Sequence, residues 1–249
     1  DFLNAAIREK AYDNLKSHNI DALIVIGGNG SITGANVFSK QFDFPCIGIP
    51  ASIDNDIYGT DYSIGFQTAL QTIVESVDKI RDTARSHNRL FFVEVMGRDN
   101  GNLALYSAIA SGACFVIIPE KDFVINNLAE RLKFGKSVSK SSSVVIVAEG
   151  NNYGPAYKIA DDLSEIFDEY ESKVTILGHL QRGGSPVVMD RLIASRLGLS
   201  AVQALISKNY NQMVGIIKNE LVLTPIQDVV SKEKKLNTDL YKLNKIISR

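Results

Sequence analysis

From residue 22 onward the chain alternates between two patterns of apolar and polar positions. Short strand-like runs, most of them apolar nearly from end to end, stand at 22–26, 46–49, 90–95, 115–118, 143–148 and 174–177. Between them lie longer stretches whose apolar residues recur every three or four positions: about 33–40, from 63 as far as 86, 103–111, 128–138, 157–170 and 191–206, with 5–18 ahead of the first run. The 3.6-residue period predicts amphipathic helices, and unbroken apolar runs predict strands buried on both faces. In the longest helix Leu70, Ile73, Val74 and Val77 are spaced for one buried face; in the first, Ile7, Ala11 and Leu15 are. Strands alternating with helices throughout predict an α/β fold of parallel sheets covered by helices on both faces.

Ligands of such sheets bind beyond the carboxyl ends of the strands, in the connections to the helices. The richest connection is 50–61, Pro-Ala-Ser-Ile-Asp-Asn-Asp-Ile-Tyr-Gly-Thr-Asp, which puts Asp54, Asp56 and Asp61 within eight residues beside Ser52. Close carboxylates repel and raise one another's pKa. A catalytic loop turns this to use, one carboxylate taking a proton while another orients it or holds a metal. An Asx-rich turn capping the next helix accounts for the same residues. Gly27-Gly28-Asn29-Gly30-Ser31 follows a strand and precedes a helix, where glycines let backbone N–H groups approach phosphate. A tight β-to-α turn needs glycine anyway, and the run is neither the dinucleotide fingerprint nor the Walker lysine motif.

Met96-Gly97-Arg98 and Ala148-Glu149-Gly150 end two further strands. The arginine suits phosphate or sugar hydroxyls, or a surface ion pair. The glutamate suits a polyol, or a helix cap. More specific is 177–186, Leu-Gly-His-Leu-Gln-Arg-Gly-Gly-Ser-Pro, whose His179 and Arg182 beside paired glycines suit a phosphate monoester. His18 and His87 are by contrast helix-end residues. Two phosphate sites flanking a base describe phosphoryl transfer.

Composition narrows the field without redirecting it. The 249 residues, 45% of them hydrophobic, suffice for one large α/β domain or two lobes with cores of their own. A net charge of −1 gives no reason to expect nucleic acid or an acidic membrane surface as partner. No apolar run approaches the ~20 residues of a membrane span, and no signal peptide opens the chain. Cys46 and Cys114 sit in apolar runs, which predicts buried thiols and a reducing, cytoplasmic compartment.

In order and spacing these motifs resemble those of the ATP-dependent 6-phosphofructokinases, over essentially the whole chain. Ser52-Ile53-Asp54-Asn55-Asp56 followed by Gly59-Thr60-Asp61 looks like that family's catalytic loop, and 96–98, 149–150 and 178–184 look like its sugar-phosphate motifs. The resemblance implies a two-lobed homotetramer with sites shared between subunits. Its reaction would move a phosphoryl group from Mg2+-ATP to the 1-hydroxyl of fructose 6-phosphate, giving fructose 1,6-bisphosphate and ADP. Asp54 would be the general base, with Asp56 arranging magnesium, and Ser52 (usually threonine) offering a hydroxyl to phosphate. Arg98 would join the catalytic groups. Ser52, Ile53, Asp54, Met96, Gly97, Arg98, Glu149, Leu180 and Gln181 would hold the substrate, and His179 and Arg182 would grip its 6-phosphate. Arg89 and Lys173 (usually arginine) would reach that phosphate from a neighbouring subunit. Gly28, Asn29, Gly30 and Ser31 would meet the nucleotide.

The same resemblance implies an ATP-binding lobe of 1–65 with about 181–231, and a sugar-phosphate lobe of about 66–180 with 232–249. Family members open with a further strand and glycine loop, so the chain is expected to be a fragment whose ATP site is incomplete. Pyrophosphate-using relatives carry Asp in place of Gly30 and Lys in place of Ala51, so the small neutral residues here imply ATP. Asn29 stands where the family has a magnesium-binding Asp. That leaves a second reading, a catalytically weak paralogue that binds sugar phosphate and regulates an active partner. Arg81 stands where an effector-site arginine would, or serves a helix-surface ion pair.

Overall fold

The computed structural model describes residue 2 and residues 4–84, 89–137 and 144–248. His87, the predicted helix end at Ser86, and the predicted limits at Val138 and Ser143 lie outside the described residues. In chain order the elements are α1 (Ala5–Ser17), β1 (Leu23–Gly27), α2 (Asn29–Phe42), β2 (Cys46–Pro50), α3 (Phe66–Ala84), β3 (Arg89–Val95), α4 (Asn102–Ser111), β4 (Phe115–Ile117), α5 (Ile125–Ser137), β5 (Val144–Ala148), α6 (Ala156–Ile166), β6 (Glu171–Ile176), a 3₁₀ helix (Gly178–Arg182), α7 (Val188–Ile206), β7 (Gln212–Ile217), β8 (Glu220–Pro225), α8 (Ile226–Ser231) and α9 (Thr238–Ile247). They form two compact units, Asp1–Gly65 with Val188–Lys235 and Phe66–Val187 with Leu236–Arg249.

The first unit contains a sheet of order β1-β2-β7-β8, parallel except for the last pair. Successive side chains of a strand point to opposite faces. Cys46 accordingly packs with Ile32 and Phe38 of α2 and Ile226 of α8, while Ile47 packs with Ile193 and Leu197 of α7. Both faces of β2 are covered, which is why its run is apolar throughout. β1 departs from the buried strand its pattern predicts: it is the edge strand, and Ile26 is 63% exposed. An apolar run cannot show whether a strand has one neighbour or two. β7 and β8, α8 and α9 carry no sequence prediction at all. The β7–β8 hairpin turns on Lys218 and Asn219, both at positive φ (50° and 67°), a primed-turn geometry that Lys-Asn announces weakly. The Arg196 guanidinium fixes the turn by donating to the side-chain and backbone oxygens of Asn219.

The second unit contains a parallel sheet of order β4-β5-β3-β6. Leu128 and Leu132 of α5 and Ile159 and Leu163 of α6 bury one set of side chains, among them Phe92, Val145 and Val147. The alternate residues Val93, Val144 and Ile146 are equally buried, and α3 and α4 pack against β3 and β5. On α3 the buried positions are Phe66, Ala69, Ile73 and Val77, with Leu70 and Val74 half-buried beside them. Cys46 and Cys114 are free and buried, and burial pushes their thiols up to about 11 and about 12. Among the described residues no helix is long and apolar enough to cross a membrane.

Candidate active site

In the first unit the adjacent strands β1 and β2 deliver their following segments side by side, joined by a bond from the Ala51 N–H to the Gly27 carbonyl (3.0 Å). The predicted loop at 27–31 is in fact the first turn of α2: Gly28 is its N-cap, and Asn29, Gly30 and Ser31 are already helical. Helix-start N–H groups lack intrahelical partners and favour anions. From this turn the Asn29 amide donates to Asp56 Oδ2 at 2.7 Å.

The segment after β2 is held by its own polar groups. The Asp54 N–H donates to Ser52 Oγ (3.2 Å), and Ser63 Oγ donates to the Ser52 carbonyl (2.6 Å). Asn55 sits at φ 52°, a left-handed conformation that asparagine tolerates, and is 1% exposed. Its amide donates to the Asp61 carbonyl (3.0 Å) and its Oδ1 accepts from the Ser63 N–H (3.0 Å). Asp54, itself buried, and Asp56 therefore flank a locked residue. Asp61 does something else. Its N–H donates to the Ile216 carbonyl and its carboxylate accepts from the Lys218 N–H, both at 2.7 Å, so it anchors the loop to the end of β7.

Lys234 completes this loop without any sequence signal, lying in the polar run Ser-Lys-Glu-Lys-Lys. Its ammonium donates to Asn55 Oδ1 (3.0 Å) and to the Asp61 carbonyl (2.9 Å). Burial pushes its pKa down to about 8, against the opposing pull of Asp61 and Asp56.

In the second unit β5, β3 and β6 are neighbours, so Glu149, Met96-Gly97-Arg98 and the 3₁₀ helix all follow the same end of one sheet. Gly97 turns at φ 142°, and Arg98 follows at φ 53°, a strained conformation for arginine that costs on the order of 1 kcal/mol. The Arg98 N–H donates to Glu149 Oε1 (2.9 Å). A Cβ at Gly150 would collide with the Arg98 carbonyl oxygen, so glycine is what lets the two turns interlock.

Residues 178–182, read from sequence as a loop, are wound into the 3₁₀ helix. Gln181 is 1% exposed; its Oε1 accepts from the Met96 N–H (3.1 Å) and its amide donates to the Gly178 carbonyl (2.9 Å). That side chain ties the short helix to the end of β3. His179, Leu180 and Arg182 are left exposed, and the side chains of His179 and Arg182 bond to no described residue. Arg89 and Lys173 are not brought to this end. They lie toward the start of β3 and β6, where Arg89 Nε donates to Glu171 Oε2 (2.7 Å) and Lys173 Nζ meets Glu171 Oε1 (2.5 Å). Lys173 and Arg89 together hold the Glu171 carboxyl down at about 2. Arg81 forms an ion pair with Asp78 one turn back on α3 (3.7 Å).

Among the described residues no three His, Cys, Asp or Glu side chains gather as a metal cluster. The donors nearest such a role are the Asp56 carboxylate and the Asn29 amide. That set fits magnesium, which takes one or two carboxylates together with substrate phosphates and keeps several waters.

The family model for phosphofructokinase matches residues 1–205. The chain belongs to the phosphofructokinase family. Among curated phosphofructokinases, "ATP-dependent 6-phosphofructokinase 2" of Bacteroides thetaiotaomicron is 52% identical, over 97% of this chain and 74% of its own length. The ATP-dependent 6-phosphofructokinase of Cytophaga hutchinsonii is 48% identical over 95% of this chain and 72% of its own. The crystal structure of Pichia pastoris phosphofructokinase in the T-state superimposes with a TM-score of 0.86 at 34% identity, over 99% of this chain. The chain spans 28% of that longer phosphofructokinase.

Proposed function

We propose that the chain acts as an ATP-dependent 6-phosphofructokinase, converting fructose 6-phosphate and ATP to fructose 1,6-bisphosphate and ADP. The observation that carries this reading is that relatives of that name are 52% and 48% identical across nearly all of the chain. The strand-end placement of the polar groups in each unit supports it.

The first unit is read as the nucleotide lobe. Asp54 takes the proton from the 1-hydroxyl; that oxygen bonds to the γ-phosphorus as the bond to the β,γ-bridging oxygen breaks, and ADP leaves. The Gly30 and Ser31 N–H groups at the start of α2 and the Ser52 hydroxyl bind phosphate oxygens. Magnesium, when bound, neutralises charge on the transferring phosphoryl, and Asp56 and Asn29 are the residues that would hold it. A Cβ at Gly30 meets nothing within 4 Å, so an uncrowded, uncharged helix start is available to a nucleotide.

The second unit is read as the sugar-phosphate lobe. Arg98, Met96, Gly97 and Glu149 hold the sugar, and His179 and Arg182 its 6-phosphate. Lacking partners among the described residues, these two side chains keep their bonding capacity for a ligand. Arg89 and Lys173 serve the substrate of a neighbouring copy in a homotetramer, and the buried thiols suit a cytoplasmic setting. A coupled assay for fructose 1,6-bisphosphate on the full-length protein, run with magnesium and either ATP or pyrophosphate, tests the reading. Turnover with ATP is expected. Faster turnover with pyrophosphate would overturn the donor, and none with either would overturn the kinase.

A further inference from the structure

The second unit also holds a cavity of about 330 Å³, and no residue named for the proposed reaction lines it. It runs along β4, the edge strand of the sheet, between the start of α5 and α9. Phe115, Val116, Ile118 and Phe123 give it an apolar floor. Its charged lining is three cations, Lys121, Arg131 and Lys245, against one carboxylate, Asp122.

Two observations show that this lining is not self-sufficient. Asn244 lines the cavity and is 3% exposed, yet its side-chain N–H₂ has no hydrogen-bond partner. Buried donors are rarely left in that state, because the lost hydration is not replaced. The Lys121 and Lys245 ammonium groups stand 5.4 and 5.1 Å from the centroid of one ring, that of Tyr241. Neither forms an ion pair with any described residue. Two like charges drawn to one ring repel, and an anion beside them removes the repulsion.

We infer that this cavity binds a small organic anion, its carboxylate or phosphate oxygens on the Asn244 amide, Lys121 and Lys245, and its apolar body on Phe115 and Phe123. The volume lies at the lower end of ligand pockets, which suits a single ring rather than an extended chain.

Phenyl phosphate and benzoate, titrated calorimetrically into the whole chain, test this, with phenol as the uncharged control. At least one of the two anions is expected to saturate a single site with Kd of about 1 mM or tighter, and phenol to bind roughly tenfold more weakly. Preference between the two anions names the head group. Lys121 and Lys245 are exposed, so the double variant K121E/K245E keeps the fold, and it is expected to weaken binding by at least about tenfold. Asn244→Leu should weaken it too; because that site is buried, the lysine variant decides should the leucine variant fail to fold. Arg182→Ala should leave the affinity unchanged. Binding that ignores the lysine reversals, that is lost in Arg182→Ala, or that shows no saturation by about 20 mM overturns the inference.

Discussion

At Asn29 a single amide in place of a carboxylate changes what the site needs. The amide donates to Asp56 at 2.7 Å, so the two side chains pair directly. A carboxylate at 29 would repel Asp56 until a magnesium ion bridged the pair. Asn29→Asp is expected to melt at a lower temperature than the parent in metal-free buffer, to recover with magnesium, and to need about tenfold less magnesium for half-maximal turnover. Equal melting without metal would contradict this. Gly30 tests donor choice in the same turn. The space for a Cβ is open, and an acidic residue suits a helix start, so Gly30→Asp should fold as the parent does. A carboxylate about 5 Å from nucleotide phosphate costs roughly 3 kcal/mol at an effective dielectric of 20, on the order of 10²-fold in kcat/KM for ATP. Unchanged ATP kinetics would remove Gly30 from donor selection. Both residues stand out in the sequence as a glycine-rich turn. That the turn is already helix, and that Asn29 has its partner 27 residues along, depends on the register of β1 on β2 and is invisible locally.

At the scale of elements, β3 and β6 bring Arg89 and Lys173 onto one carboxylate, Glu171. Its folded pKa, about 2 against an ordinary 4.5, means that the pairing stabilises the protein above the ordinary value and is lost only as pH falls through about 2. If Arg89 and Lys173 serve a substrate phosphate as proposed, Glu171 competes with it for both cations. Glu171→Gln should therefore lower KM for fructose 6-phosphate about threefold and leave kcat unchanged, an exposed-pair effect; a raised KM would contradict it. Lys234 has the opposite sign. With a folded pKa of about 8 against 10.5, the folded state binds fewer protons than the unfolded one between those values, so stability rises with pH across that window. Denaturation midpoints from pH 8 to 10.5 should rise in the parent relative to Lys234→Met, and parallel curves would show that Lys234 is not desolvated. The six apolar runs mark β1 to β6 because most of these strands are covered on both faces, although β1, β4 and β6 prove to be edges and β1 and β6 are only partly buried. β7 and β8 escape notice because their hairpin turns on Lys-Asn and β8 is largely exposed. Glu171 and Lys234 escape it because their partners are set by strand register and chain return.

At the scale of the whole molecule, each unit puts its proposed reaction groups beyond the carboxyl ends of parallel strands: Asn29, Ser52, Asp54 and Asp56 in one, Arg98, Glu149, His179 and Arg182 in the other. The alternation of patterns announces α/β, but it does not announce that the chain leaves the first unit at Phe66, returns at Val188 and leaves again at Leu236. No local pattern changes at those crossings. The lobes expected in the sequence came from family resemblance. Asp54 bears most directly on the reaction proposed for the molecule. Asp54→Asn keeps the side chain's size and the backbone bond to Ser52 but cannot accept the hydroxyl proton. Steady-state turnover with magnesium-ATP should fall by ~10²–10⁴, while fructose 6-phosphate binding, measured by calorimetry, stays within about twofold of the parent. Turnover equal to the parent's would contradict the assignment of Asp54 as the base.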